Sequence, residues 1–92
     1  MTDHSIEGAG RALTELAPYE RAVITALNLS TELTAALAAM GVERGQSVVL
    51  LRAGALGGPV HIRLHWATEI AIDRAIADAI RVSQSAPTEP SL

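Results

Sequence analysis

Apolar positions come in short blocks, each bounded by glycine, proline or small polar residues. RAVITAL, residues 21–27, is short and β-branched and follows Pro18-Tyr19, which reads as a turn, so it predicts a strand. Ser30 and Thr31 then offer side-chain oxygens to the free amides of a helix start, and Glu32 suits its positive end. Leu33, Leu37 and Met40 recur at one-turn spacing, which predicts a helix of about ten residues with these three side chains in the core. Gly41 is the natural stop, because glycine enters the left-handed conformation cheaply.

After Gly45, QSVVLLR has the length and branching of a buried strand, and Gly54, Gly57, Gly58 and Pro59 follow within a few positions. Such a cluster turns the chain back, making a hairpin of residues 46–53 and 60–66. EIAID (69–73) and AIRV (79–82) supply two more short strands, with a single helical turn around Ile76 and Ala77 between them. The pattern is mainly β: about five strands and one short α-helix in a small, partly closed barrel. One helix is too few for a parallel βαβ arrangement.

The second hairpin arm, HIRLHW (61–66), tests metal binding. Extended backbone sends Ile62, Leu64 and Trp66 to the core side and His61, Arg63 and His65 to the polar side. At about 3.3 Å per residue the two histidine α-carbons stand roughly 13 Å apart. Metal–nitrogen bonds are about 2.0–2.1 Å, so one ion does not bridge them, and no metal ligand is assigned. The face is a solvated strand surface on which Arg63 is able to pair with an acidic partner.

Composition narrows the picture. In a chain of 92 residues, the glycine-, serine-, proline- and acid-rich ends carry too little apolar surface to offset the entropy of ordering them. Residues 1–11 and 83–92 are therefore expected as disordered tails around a domain spanning 12–82, close to the lower size limit for unaided folding. Phenylalanine is absent, so Leu, Ile, Val and Ala must fill the core. Cysteine is absent too, which removes disulfides, thiol catalysis, iron–sulfur ligation and cysteine-based zinc sites. No apolar run approaches the roughly 18–20 residues that span a bilayer, and no export signal opens the chain. A cytoplasmic protein without direct membrane insertion is expected. Net charge is −3, and the seven basic residues are all arginine, scattered along the chain with only Tyr19 and Trp66 to stack on bases. Nucleic-acid binding is not expected. Without lysine, GALGGP (54–59) is no phosphate-binding loop of the lysine type.

Catalytic patterns are missing. GQSVV has valine where a nucleophile elbow needs its second glycine. Nothing near Glu15, Glu20, Glu32 or Glu43 in sequence would desolvate them for acid–base work. The sequence predicts no enzyme and no cofactor.

The order of signals, LTELAPYERAVI, a short helix ending MGVERG, SVVLLRAGALGGPVHIRL and AIADAIRV, resembles the FeoA family of bacterial ferrous iron transport across nearly all of residues 12–82. Ala77, Ile80 and Val82 match the family's closing Ala-x-x-Ile-x-Val. Met40 to Gly45 matches its post-helix turn with Arg44 in place of proline, and Ala55 to Pro59 its hairpin tip with the first proline lost. Tyr19 stands where a glycine is common, and another usual glycine is missing around His65-Trp66. The resemblance implies an SH3-like barrel and a small accessory protein, not an enzyme, that contacts FeoB, the membrane ferrous iron transporter with a cytosolic GTPase domain. Leu56, Gly57, Gly58 and Pro59 at the hairpin tip, and Gly41, Val42 and Arg44 after the helix, are the candidate contact residues. The chain is expected as a monomer or a weak self-associator through a strand edge. The alternative is a regulatory domain related to the terminal domain of iron-dependent repressors, since one fold serves several uses.

Overall fold

The computed structural model describes residues 10–65 and 68–84. Most of both expected tails, and Trp66 with its expected place in the core, lie outside the described residues. Six strands alternate with short helical segments: β1 (Arg11–Ala12), a 3-10 turn (Leu13–Glu15), β2 (Arg21–Leu27), α1 (Thr31–Ala39), β3 (Ser47–Ala53), a second 3-10 turn (Ala55–Gly57), β4 (Val60–Leu64), β5 (Thr68–Ile72), α2 (Arg74–Asp78) and β6 (Ile80–Gln84). They form one sheet in the order β1-β6-β2-β3-β4-β5, and every pairing is antiparallel. The architecture is the expected small SH3-like one, with β1 and β5 left as edges rather than paired into a closed cylinder. The sixth strand, β1, is two residues long, too short to show any period in sequence. Pairing reaches Arg11 at one end and Gln84 at the other, past the 12–82 span on both sides.

Alternation builds the core. Ala22 and Ile24 of β2, Val48 and Leu50 of β3, Val60, Ile62 and Leu64 of β4, and Ile80 and Val82 of β6 are buried, while their sequence neighbours are exposed or half-buried. No buried polar side chain interrupts this aliphatic interior among the described residues. At about 25 cal/mol per Å² of apolar surface removed from water, such side chains supply most of the favourable free energy of a chain this short. Two bulges bend the sheet, where the β2–β6 register shifts between Ile24 and Ala26 and the β3–β4 register between Leu50 and Arg52.

Helix α1 begins and ends on the residues its sequence marks. The Ser30 side chain caps it by accepting the Leu33 amide at 3.1 Å. At the other end the Gly41 amide donates to Ala38 and the Val42 amide to Leu37, with Gly41 at φ +97°. This is a Schellman stop, in which the residue after the left-handed glycine packs against the last turn of the helix, and Val42 and Leu37 are both buried. The expectation for the helix face needs correction. Leu37 is its one buried side chain, whereas Leu33 and Met40 are 40% and 49% exposed. The helix touches the barrel through a single turn and its stop, so a stripe of three apolar residues exceeds what the contact covers.

The glycine cluster reverses the chain as expected. Val48 faces Leu64 and Ala53 faces Val60, so β3 and β4 are hairpin partners. The Gly54 amide donates to the Pro59 carbonyl at 2.8 Å, and a guanidinium nitrogen of Arg74 donates to the Gly54 carbonyl at 3.3 Å. The expected strand through Trp66 stops earlier. β4 ends at Leu64, and His65 is exposed at φ +54°, a turn residue, so only His61 and Arg63 keep strand alternation.

Candidate functional site

The two candidate contact regions lie at opposite ends of the β3–β4 hairpin. The tip adjoins the Ala53–Val60 pair, and the post-helix turn leads into β3 beside the Val48–Leu64 pair. Five residue steps along β3, from Val48 to Ala53, separate these pairs by about 17 Å at strand rise, so the two regions do not form one patch.

At the tip, Leu56 is fully exposed, 104% of its reference surface, and holds φ +58°. Left-handed backbone costs a leucine roughly 1–2 kcal/mol, and here no intramolecular burial of the side chain offsets it. Gly57, at φ +80°, and Pro59 are exposed beside it, and Gly58 is half-buried. The tip is built on a close approach: a β-carbon on Gly54 would lie 2.8 Å from the Pro59 carbonyl oxygen.

At the other end, Val42 is fully buried, so its side chain belongs to the Schellman contact rather than to the surface. Gly41 and Arg44 remain accessible, Gly41 packing near the Leu64 and His65 side chains. The register brings to this end residues that sequence spacing does not relate. Arg21 faces Val49, Val49 faces Arg63, and Arg63 faces Glu69, forming one row across the outer surface of the sheet. A shallow pocket of about 310 Å³ opens over this row. Strand alternation places Arg63 on the polar face, but its convergence with Arg21 depends on pairing register, which no local pattern encodes.

The Glu20 carboxyl is held below the usual range, chiefly by its hydrogen bond to Arg11 at 2.6 Å and also by the Ala17 amide at 2.9 Å. It straps the turn before β2 and faces no cavity described here. No three His, Asp or Glu side chains gather as a metal site among the described residues, and no described helix is long and apolar enough to cross a membrane.

Comparison with known proteins agrees with the fold. The FeoA domain family matches residues 11–84. No curated protein matches the sequence. Among solved structures, the FeoA protein of Chlorobium tepidum is 27% identical with a TM-score of 0.74, over 85% of this chain and 73% of that one. Iron(II) transport protein A of Clostridium thermocellum is 29% identical with a TM-score of 0.72, over 79% of this chain but 44% of that one. A manganese-dependent transcriptional repressor, 13% identical, superposes with a TM-score of 0.73 over 82% of this chain and 41% of its own, a likeness of fold alone. With the family match running from the first described strand to the last, this chain belongs to the FeoA family, small accessory domains linked to ferrous iron transport and not a known enzyme family.

Proposed function

We propose that the chain is a cytoplasmic accessory protein of ferrous iron uptake that docks, through its hairpin tip, on the GTPase domain of a FeoB-type membrane transporter. The observation that carries this reading is Leu56: a large apolar side chain held fully in solvent on left-handed backbone, at the end of a rigidly closed turn. An apolar residue so placed contributes nothing to the interior and is suited to fill a pocket on another molecule. Gly57, Gly58 and Pro59 keep the tip narrow, and Arg74 anchors its base through Gly54. Gly41 and Arg44, at the far end of the hairpin, form a separate and smaller candidate contact, with Val42 supporting it from beneath. Family membership supports the iron-uptake setting.

The test is direct association of the purified chain with the transporter's GTPase domain, measured in solution with and without guanine nucleotide. Saturable binding, together with impaired ferrous uptake when the chain is deleted, supports the proposal. No association at high micromolar concentration with uptake unchanged overturns it. A second reading, a regulatory domain of the repressor type, is favoured by the superposition on the manganese-dependent repressor. It predicts association with a transcriptional complex and no association with the transporter.

A further inference from the structure

Beyond docking through the hairpin tip, and remote from that tip, the end of the hairpin away from Leu56 carries the makings of a ligand site. Its pocket, about 310 Å³, is lined by Arg21, Gln46, Ser47, Val49, Arg63 and His65, along with the backbone at Gly45. No carboxylate is among these residues, in a chain whose net charge is −3. Arg21 and Arg63 flank Val49 in register on neighbouring strands, so their α-carbons stand about 10 Å apart across an apolar floor. Guanidinium groups at these two lining positions supply the fork of N–H donors that a planar or tetrahedral oxyanion accepts, and Gln46 and Ser47 add neutral donors.

Arg63 has a partner already, Glu69, at 3.5 Å, but Glu69 sits on β5, on the far side of Arg63 from the slot. Both side chains are solvent-exposed, at 36% and 57%, and a guanidinium with five N–H donors has others to offer. Among the described residues Arg21 and Arg44 make no ion pair.

A second, independent observation lies next door. A neighbouring depression of about 470 Å³ shares Gly45 with the first and is lined by Ile24, Thr25 and Arg44. Thr25 is the extra residue of the β2 bulge, between the paired positions Ile24 and Ala26. Its hydroxyl oxygen is buried without a hydrogen-bond partner. Buried polar atoms are nearly always satisfied and bulges commonly lie beside functional sites, so an unsatisfied hydroxyl beneath the wall of a depression that Arg44 lines sets this edge of the sheet apart.

We propose that the surface formed by Arg21, Arg44, Arg63 and His65 around Gly45 binds a small oxyanion ligand bearing phosphate or carboxylate groups, with Arg21 and Arg63 as its principal clamp. A ligand with more than one anionic group would reach both depressions, one group between Arg21 and Arg63 and the next at Arg44.

The test uses the full chain and amide NMR. Inorganic phosphate and citrate are each titrated at constant ionic strength against a chloride control. Expected are saturable shifts centred on Gly45, Gln46 and Ser47. Citrate should bind more tightly than phosphate and lose that advantage in Arg44→Gln. Arg21→Gln and Arg63→Gln should each weaken binding about tenfold or more, the scale of a charge-assisted contact, while Arg52→Gln, toward the other end of β3, leaves it unchanged. Arg63→Lys, keeping the charge but not the planar fork, should fall between. The proposal is overturned if neither anion gives saturable shifts up to about 10 mM, weaker than the usual range of specific recognition, if chloride acts equally, or if the arginine variants, with dispersed spectra showing an intact fold, bind as the wild type does. Because the clamp is remote from Leu56, failure here leaves the docking proposal standing, and the reverse holds as well.

Discussion

Leu56→Gly separates what the hairpin tip does for the fold from what it does for a partner. Leu56 has no solvent-shielded side-chain surface to lose and sits at φ +58°. Replacing it with glycine removes about 1–2 kcal/mol of left-handed strain. Glycine also loosens the unfolded chain, which costs about 0.5–1 kcal/mol. The difference runs from no change to about 1.5 kcal/mol of stabilisation, measurable as an unchanged or raised urea midpoint. On the transporter's GTPase domain the same substitution deletes a leucine that would be buried in the complex, worth about 1.5–3 kcal/mol. That is roughly a 10- to 150-fold weaker Kd by titration calorimetry. Two results refute the reasoning: a loss of more than about 2 kcal/mol in stability, which makes the leucine structural, or an unchanged Kd, which removes the tip from the interface.

Four further outcomes follow from the packing. Gly54→Ala would press a β-carbon against the backbone of Pro59 and Gly58, at 2.8–3.0 Å, and should cost about 1–3 kcal/mol by urea denaturation through loss of the closing hydrogen bond and strain at the turn. Ile62→Ala, in a fully buried position of β4, should cost about 2–5 kcal/mol in the same assay. Ser30→Ala should cost about 1 kcal/mol and raise amide exchange in the first turn of α1. Because folding lowers the Glu20 pKa, its contribution is present above the ordinary carboxylate pKa and lost as pH falls through the lowered one, so Glu20→Gln should flatten that part of the acid limb in urea midpoints measured against pH.

Much of the frame is legible locally because it is decided locally. Ser30 and Gly41 bracket a helix whose cap and Schellman stop involve only neighbours, and the glycines of residues 54–58 make a turn whatever surrounds them. The two positions at which family glycines are missing, Tyr19 and the region of His65, prove to include left-handed residues, φ +67° and +54°, which explains why glycine suits them. What sequence periodicity misread depends on distance across the fold. Leu33 and Met40 share a stripe with Leu37, but the barrel is too small to cover more than one turn of helix. The early end of β4, the bulge at Thr25 and the meeting of Arg21 with Arg63 all come from strand register. In the candidate contact set, Val42 turned inward for a local reason that the Schellman rule could have supplied, while Arg21 and Thr25 carried no comparable signal.

β1 lies beside the last strand, with Arg11 opposite Val82 and Ala12 opposite Arg81. Entry and exit of the folded unit are thus neighbours on one rim, separated by little more than a strand spacing and the two residues that carry β6 on to Gln84. A unit whose doorways adjoin can be spliced into a longer polypeptide, or have its termini joined and reopened elsewhere, while its interior keeps every contact.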